Sequence, residues 1–119
     1  ELLKIRATLE ATYRDMQDIG SYFAAQKALP SSFAADANKA AAGRKLLETH
    51  HCGSCHMPDL SGQNQIPRLA GQNVEYVIRQ LRGLKDGSRR DIDGTMASAA
   101  QALSDQDIEN LAHYLVSVK

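Results

Sequence analysis

An all-α fold is predicted by three features of this 119-residue sequence. Apolar residues recur at three- to four-residue spacing along four separate stretches, the period of a helix with one buried face. Residues that start or stop helices bracket those stretches. Nowhere do polar and apolar residues alternate over the length of a half-buried strand.

The first helix is placed at residues 2–28, where Leu2, Ile5, Leu9, Tyr13, Met16, Ile19 and Phe23 share a face. Pro30, followed by Ser31 and Ser32, stops it. The second runs from about Asp36, a good N-cap, to His50, with Gly43 and Leu47 on one face. A Gly- and Pro-containing loop follows at residues 57–71. Asn73 caps a third helix whose apolar side is Val74, Val77, Ile78, Leu81 and Leu84, and Gly87 ends it. Residues 88–95 read as polar loop. Ser104-x-x-Asp107 resembles a capping box and opens the last helix, with Ile108, Leu111, Ala112, Leu115 and Val118 as its buried stripe.

The first and last helices resemble each other. Asp15-Met16-x-Asp18-Ile19-x-x-Tyr22-Phe23 parallels Asp107-Ile108-x-Asn110-Leu111-x-x-Tyr114-Leu115. Two amphipathic helices can share such a pattern by chance. The alternative is that residues 1–30 are the closing helix of an earlier copy of the domain formed by residues 36–119. A helix of this kind leaves apolar surface that needs covering, so it is expected to pack on its own domain or on a second copy, giving a dimer contact.

Composition narrows the function. Lys plus Arg and Asp plus Glu both number 14, a net charge of +0, which argues against a nucleic-acid binder. Charge is uneven along the chain. Residues 68–90 hold six basic side chains against two acids, whereas residues 91–119 hold five acids against Lys119. These are two solvated faces, or a dipole that orients docking with a redox partner. No run is apolar enough to span a bilayer. The chain begins at Glu1, as a processed exported protein would. Aromatics are 5% of residues and Trp is absent, so a buried cofactor would help to fill the core.

The chemistry lies in Cys52-Gly53-Ser54-Cys55-His56. Two cysteines three apart share one face of a helical turn, so both sulfurs can form thioethers along one edge of a haem. His56 then brings an imidazole nitrogen under the iron, and Gly53 and Ser54 do not obstruct the ring. A thioredoxin-type dithiol wants a parallel sheet, which this chain lacks. A structural zinc site wants four ligands, and His50, His51 and His113 supply no second spaced pair.

The sixth ligand decides what such a haem does. The thioethers available are Met16, Met57 and Met96. Met57 adjoins His56 and does not easily reach the opposite face. Met16 suits packing on the first helix. Met96 follows a polar loop and precedes a run of small residues, a placement from which it can cross the distal face. His56 and Met96 are therefore the expected iron ligands. His50 and His51 precede the motif on the proximal side, and His113 is expected on the exposed side of the last helix.

Over residues 36–119 the chain resembles class I c-type cytochromes. The resemblance rests on Gly43 and Leu47 before Cys52-x-x-Cys55-His56, then Pro67-x-Leu69-x-Gly71, then Met96, then a last helix with Leu111 and Tyr114. It implies a class I cytochrome c fold, with helices wrapped around one covalent haem and an extra N-terminal helix. Gly43 would sit where two helices cross, opposite Leu111 and Tyr114. The Pro67 carbonyl would accept a hydrogen bond from His56, and Leu69 would pack on the haem. A narrower likeness runs through Gly71-Gln72, Tyr76, Gln80-Leu81, Lys85-x-Gly87-x-Arg89 and Leu103-Ser104-Asp105-x-Asp107-Ile108. These residues are similar to the second domain of the tandem dihaem cytochrome c-four family, and the likeness places Tyr76, Gln80 and Arg89 near the haem or its propionates.

The function implied is one-electron transport between redox partners (an oxidase, reductase or dehydrogenase) in a respiratory or oxidative chain of the bacterial periplasm. A non-enzyme is expected. The alternatives are a haem subunit of an oxidoreductase complex, an open-site haem enzyme or a sensor, each needing an exchangeable sixth site.

Overall fold

The computed structural model describes residues 1–119. It contains six helices: α1 (Leu2–Ala24), α2 (Ala37–Thr49), α3 (Gly53–His56), α4 (Val74–Asp86), α5 (Thr95–Gln101) and α6 (Asp105–Ser117). The one strand-like pairing is an isolated bridge between Gln63 and Ile66.

Side-chain caps set the helix starts where the sequence placed them. Asp36 Oδ1 accepts the Lys39 N–H at 2.9 Å, and Asn73 Oδ1 accepts the Tyr76 N–H at 2.9 Å. At α6 the box is reciprocal. The Asp107 N–H donates to Ser104 Oγ at 3.1 Å, and the Ser104 N–H donates to Asp107 Oδ2 at 2.8 Å. Gly87, at φ +80°, closes α4 in the left-handed conformation.

Helix α6 is the centre of the fold and packs on both α2 and α4. Its buried residues are Ile108, Leu111, Ala112, Leu115 and Val116. Val118, expected in that stripe, lies past the helix end and is half-buried. One core cluster joins Ala112, Leu115 and Val116 to Leu60, Ala70, Val74 and Val77; a smaller one joins Leu103, Ile108 and Leu111. The α2–α6 crossing is close because Gly43 has no side chain. A Cβ there would lie 2.6 Å from the Asn110 carbonyl carbon and 2.9 Å from Tyr114 Cβ. The neighbours across from Gly43 are thus Asn110 and Tyr114, whereas Leu111, expected opposite it, points into the core.

Three expectations are corrected. Helix α1 ends at Ala24, not 28, and buries no residue: Leu2, Leu9, Met16, Ile19 and Phe23 are all more than half exposed. It does not pack on its own domain. The radius of gyration is 17.5 Å, against about 13.5 Å for a compact chain of this length. The polar loop expected at residues 88–95 gives way at Thr95 to α5, and Met96, expected just after that loop, lies in the first turn of this helix. His113 is half-buried and occupied: its Nδ1 accepts the Asp36 N–H at 3.0 Å, and its ring meets Phe33 edge-on at 5.4 Å. Those contacts pin the segment before α2 to α6.

The crossing at Gly43 gives a direct test. Gly43→Ala must push backbone apart and is expected to cost about 1–3 kcal/mol in thermal or urea denaturation. Gly20→Ala on α1, where a Cβ meets nothing within 4 Å, is expected to leave the unfolding of the domain unchanged.

The α6 cap gives a second test. The Ser104 N–H and hydroxyl hold the Asp107 carboxyl below its ordinary 3.8. A carboxyl depressed in the folded state stabilises the protein above the ordinary value, and that contribution fades as pH falls through the lower folded value. Asp107→Asn is therefore expected to be less stable than wild type near pH 7, with the difference shrinking below about pH 4 in urea titrations run across the acid range.

Candidate functional site

The Cys-x-x-Cys-His segment forms a single helical turn. The Cys55 and His56 N–H groups both donate to the Cys52 carbonyl, at 3.3 and 3.1 Å. That turn puts Cys52 and Cys55 on one side with both thiols free. Burial pushes the Cys52 thiol up from its ordinary value. A reactive redox thiol carries the opposite shift, which argues against thiol–disulfide exchange at Cys52. No three His, Cys, Asp or Glu side chains gather as metal donors.

His56 is 4% exposed, and its Nδ1 lies 2.8 Å from the Pro67 carbonyl oxygen. That oxygen can only accept, so Nδ1 is the donor, and in the neutral ring Nε2 keeps its lone pair. The ring makes no other hydrogen bond. It is therefore oriented, and its Nε2 is free to serve as a donor atom.

The loop between α3 and α4 exists to bring Pro67 back to His56. Met57 and Leu60 take φ of +71° and +58°, unusual for residues with side chains. Leu60 is 1% exposed, and its carbonyl accepts the Leu69 and Ala70 N–H groups at 2.9 and 3.1 Å. The Gly62 N–H donates to the His56 carbonyl at 3.0 Å, and Gln63 Nε2 donates to the Cys55 carbonyl at 3.1 Å. Gly62 is the hinge. It sits at φ +77°, and a Cβ there would lie 2.6 Å from each of Ile66 O, Pro67 C and Arg68 N. In the sequence the one trace of Gly62's role is its place six residues after His56 and five before Pro67. The Gly71 N–H then donates to the Leu115 carbonyl at 2.8 Å, fastening the loop end to α6.

The remaining predicted residues fall into two groups. Leu69 is half-buried against the larger core cluster. Tyr76, Gln80 and Gly83 recur at i, i+4 and i+7 on one flank of α4, and a Cβ on Gly83 would meet Arg89 Cβ at 3.2 Å. Tyr76, Gln80 and Arg89 are thus brought to one flank, with Tyr76 42% exposed. Met96 is half-buried in the first turn of α5, and α5 packs on α4. The basic and acidic stretches meet where Arg82 pairs with Asp105 at 3.4 Å, an exposed pair worth about 0–1 kcal/mol.

A haem fits these residues. Two thiols stand on one turn, and a buried imidazole offers a free nitrogen beside them. Only 15 of 119 residues are buried, while Leu46, Leu47, Leu69, Ile78 and Leu81 are half-buried around the two clusters. A flat apolar ring would complete a core that the side chains fill only in part.

Comparison with known proteins agrees. Residues 40–119 match the family model described as cytochrome c. The chain is 34% identical over 114 residues to "Cytochrome c4" of Azotobacter vinelandii, covering 86% of this chain and 53% of that one. It is 34% identical over 92 residues to "Cytochrome c-554(547)" of Halothiobacillus neapolitanus, covering 70% of this chain and 100% of that one. Among solved structures it is similar to reduced recombinant cytochrome c4 from Pseudomonas stutzeri, with a TM-score of 0.78 at 32% identity, covering 88% of this chain and 60% of the other. The chain thus spans about half the length of the cytochrome c4 relatives.

Proposed function

Because the chain belongs to the cytochrome c family and carries one haem c on Cys52 and Cys55, we propose that it is a one-electron carrier whose iron is held by His56 and Met96. The observation that carries this reading is the His56 ring, buried and fixed through Nδ1 to Pro67 with Nε2 uncommitted. The bound haem supplies one-electron exchange at its iron; the protein supplies ligation, orientation and burial. Pro67 keeps the His56 proton on Nδ1 and the ring at one angle, which also raises the donor strength of Nε2. Leu69 would pack on the haem and exclude water. Tyr76, Gln80 and Arg89, gathered on one flank of α4, would hold the propionates, with Arg89 as the cation among them. Met96 contributes a neutral, polarizable thioether, and a His/Met pair raises the potential. With His56 and Met96 both committed to the iron, no place would be left on it for a substrate, which favours a carrier over a catalyst.

Its partners are redox proteins that meet it through a small, transient contact. Attachment of a thioether-linked haem and the likeness to bacterial cytochromes support a periplasmic location; no helix is long and apolar enough to cross a membrane. Residues 1–30 are the closing helix of a preceding haem domain. Two facts support this. Met16, Ile19 and Phe23 of α1 stand at the positions of Ile108, Leu111 and Leu115, the buried face of α6. The match to the cytochrome c4 structure covers 88% of the chain, more than residues 37–119 supply, so it includes part of the α1 region.

The ligand reading is tested by optical spectra of the oxidised and reduced protein. A low-spin spectrum with a far-red iron–sulfur band, no response to carbon monoxide, and loss of the band in Met96→Ala are expected. A high-spin spectrum or ready carbon monoxide binding would instead favour an open-site enzyme or sensor.

For α1, the exposed apolar stripe is expected to drive self-association of this chain at micromolar concentration. In sedimentation experiments Leu9→Lys with Ile19→Lys should return it to monomer while its thermal unfolding stays unchanged. A monomeric wild type would show that the stripe makes no contact between copies.

A further inference from the structure

We propose that Asp91 is a positioning residue that holds Met96 in place and so keeps the sixth site closed; this rests on the reading of Met96 as an iron ligand. Helix α5 has seven residues, too few to sustain itself against the cost of nucleation. Its first three N–H groups have no partner within the helix, since the first helical bond is from the Ser98 N–H to the Gly94 carbonyl at 2.9 Å. Two carboxylates take all three. Asp93 Oδ1 accepts the Thr95 N–H at 3.0 Å. Asp91 Oδ2 accepts the Met96 N–H at 2.7 Å, and Asp91 Oδ1 accepts the Ala97 N–H at 3.3 Å. The chain between them bulges out, with Ile92 fully exposed, so that both acids can turn back toward the helix.

The other end of α5 is anchored to α4. Gln101 Nε2 donates to the Lys85 carbonyl at 2.6 Å, Lys85 Nζ donates to the Leu103 carbonyl, and Ala100 is wholly buried. With that end fixed, the position of Met96 depends on the Asp91 clamp. A thioether is a weak, neutral ligand, held to iron largely by where the backbone puts it. Asp91 acts through that backbone, by the Met96 and Ala97 N–H groups. Asp93, which holds only Thr95, has a smaller part.

The test compares wild type, Asp91→Ala, Asp91→Asn and Asp93→Ala by the far-red band, by carbon monoxide binding to the reduced protein, and by amide exchange at Met96 and Ala97. Losing the two charge-assisted bonds should raise the open fraction about tenfold in Asp91→Ala. The band should weaken, carbon monoxide should bind, and the two amides should exchange faster. Asp91→Asn keeps one acceptor oxygen and should recover part of the band; it also serves as the readout if Asp91→Ala folds poorly. Asp93→Ala should stay close to wild type. A wild-type band that persists unchanged in both Asp91 variants, with no gain in carbon monoxide binding, overturns the role of Asp91 alone. A wild type that never shows the band overturns the Met96 reading, and the proposed role with it.

Discussion

The hydrogen bond from His56 Nδ1 to the Pro67 carbonyl, 2.8 Å long, is the contact around which the site is organised. Chain geometry fixes His56 next to Cys55, but a side chain at the end of a one-turn helix has no reason to hold one ring angle. The acceptor must come from elsewhere and must itself be rigid. A proline carbonyl meets that need because the ring restricts its own backbone. Bringing it there requires a tight return path, and the path requires Gly62 at a positive φ with no side chain facing residues 66–68. Leu60 plugs the inside of the loop, and its carbonyl closes it. One uncommitted nitrogen thus accounts for the conformation of the whole segment between α3 and α4.

The helical frame carries this loop. Its end is tied to α6 through Gly71 and Leu115, and α6 lies against α2 at the close Gly43 crossing. Helix α2 runs directly into the cysteine turn, where the Cys52 N–H donates back to Leu47. A displacement at the crossing would therefore shift the ring of His56 and its acceptor relative to each other. Helices α2 and α6 matter to function because they set that separation, not because they carry reacting groups.

The four long helices were legible in the sequence because each has a regular apolar face, to which α2, α4 and α6 add a cap whose chemistry works locally. Asp36, Asn73 and Ser104 need only the next three residues to act. Helix α5 was not legible. Its residues are mostly small, it has no apolar stripe, and its start depends on Asp91 and Asp93 reaching back across a bulge. The end of α1 was placed four residues late because nothing tertiary supports Ala25 to Ala28. His113 was misplaced for the opposite reason: its partners, Asp36 and Phe33, are distant in sequence. The haem-bearing motif was readable because its spacing is a covalent requirement. The residues that hold it in register, Gly62 above all, act through backbone conformation, which leaves only the glycine itself as a trace.

The most direct test of the central claim is proton NMR of the reduced, haem-loaded protein, following the His56 Nδ1 proton. The account expects a single resolved resonance, protected from solvent exchange and coupled across the hydrogen bond to the Pro67 carbonyl. A proton that exchanges freely, or an Nδ1 with no proton, would contradict it and detach the ring from the loop said to hold it.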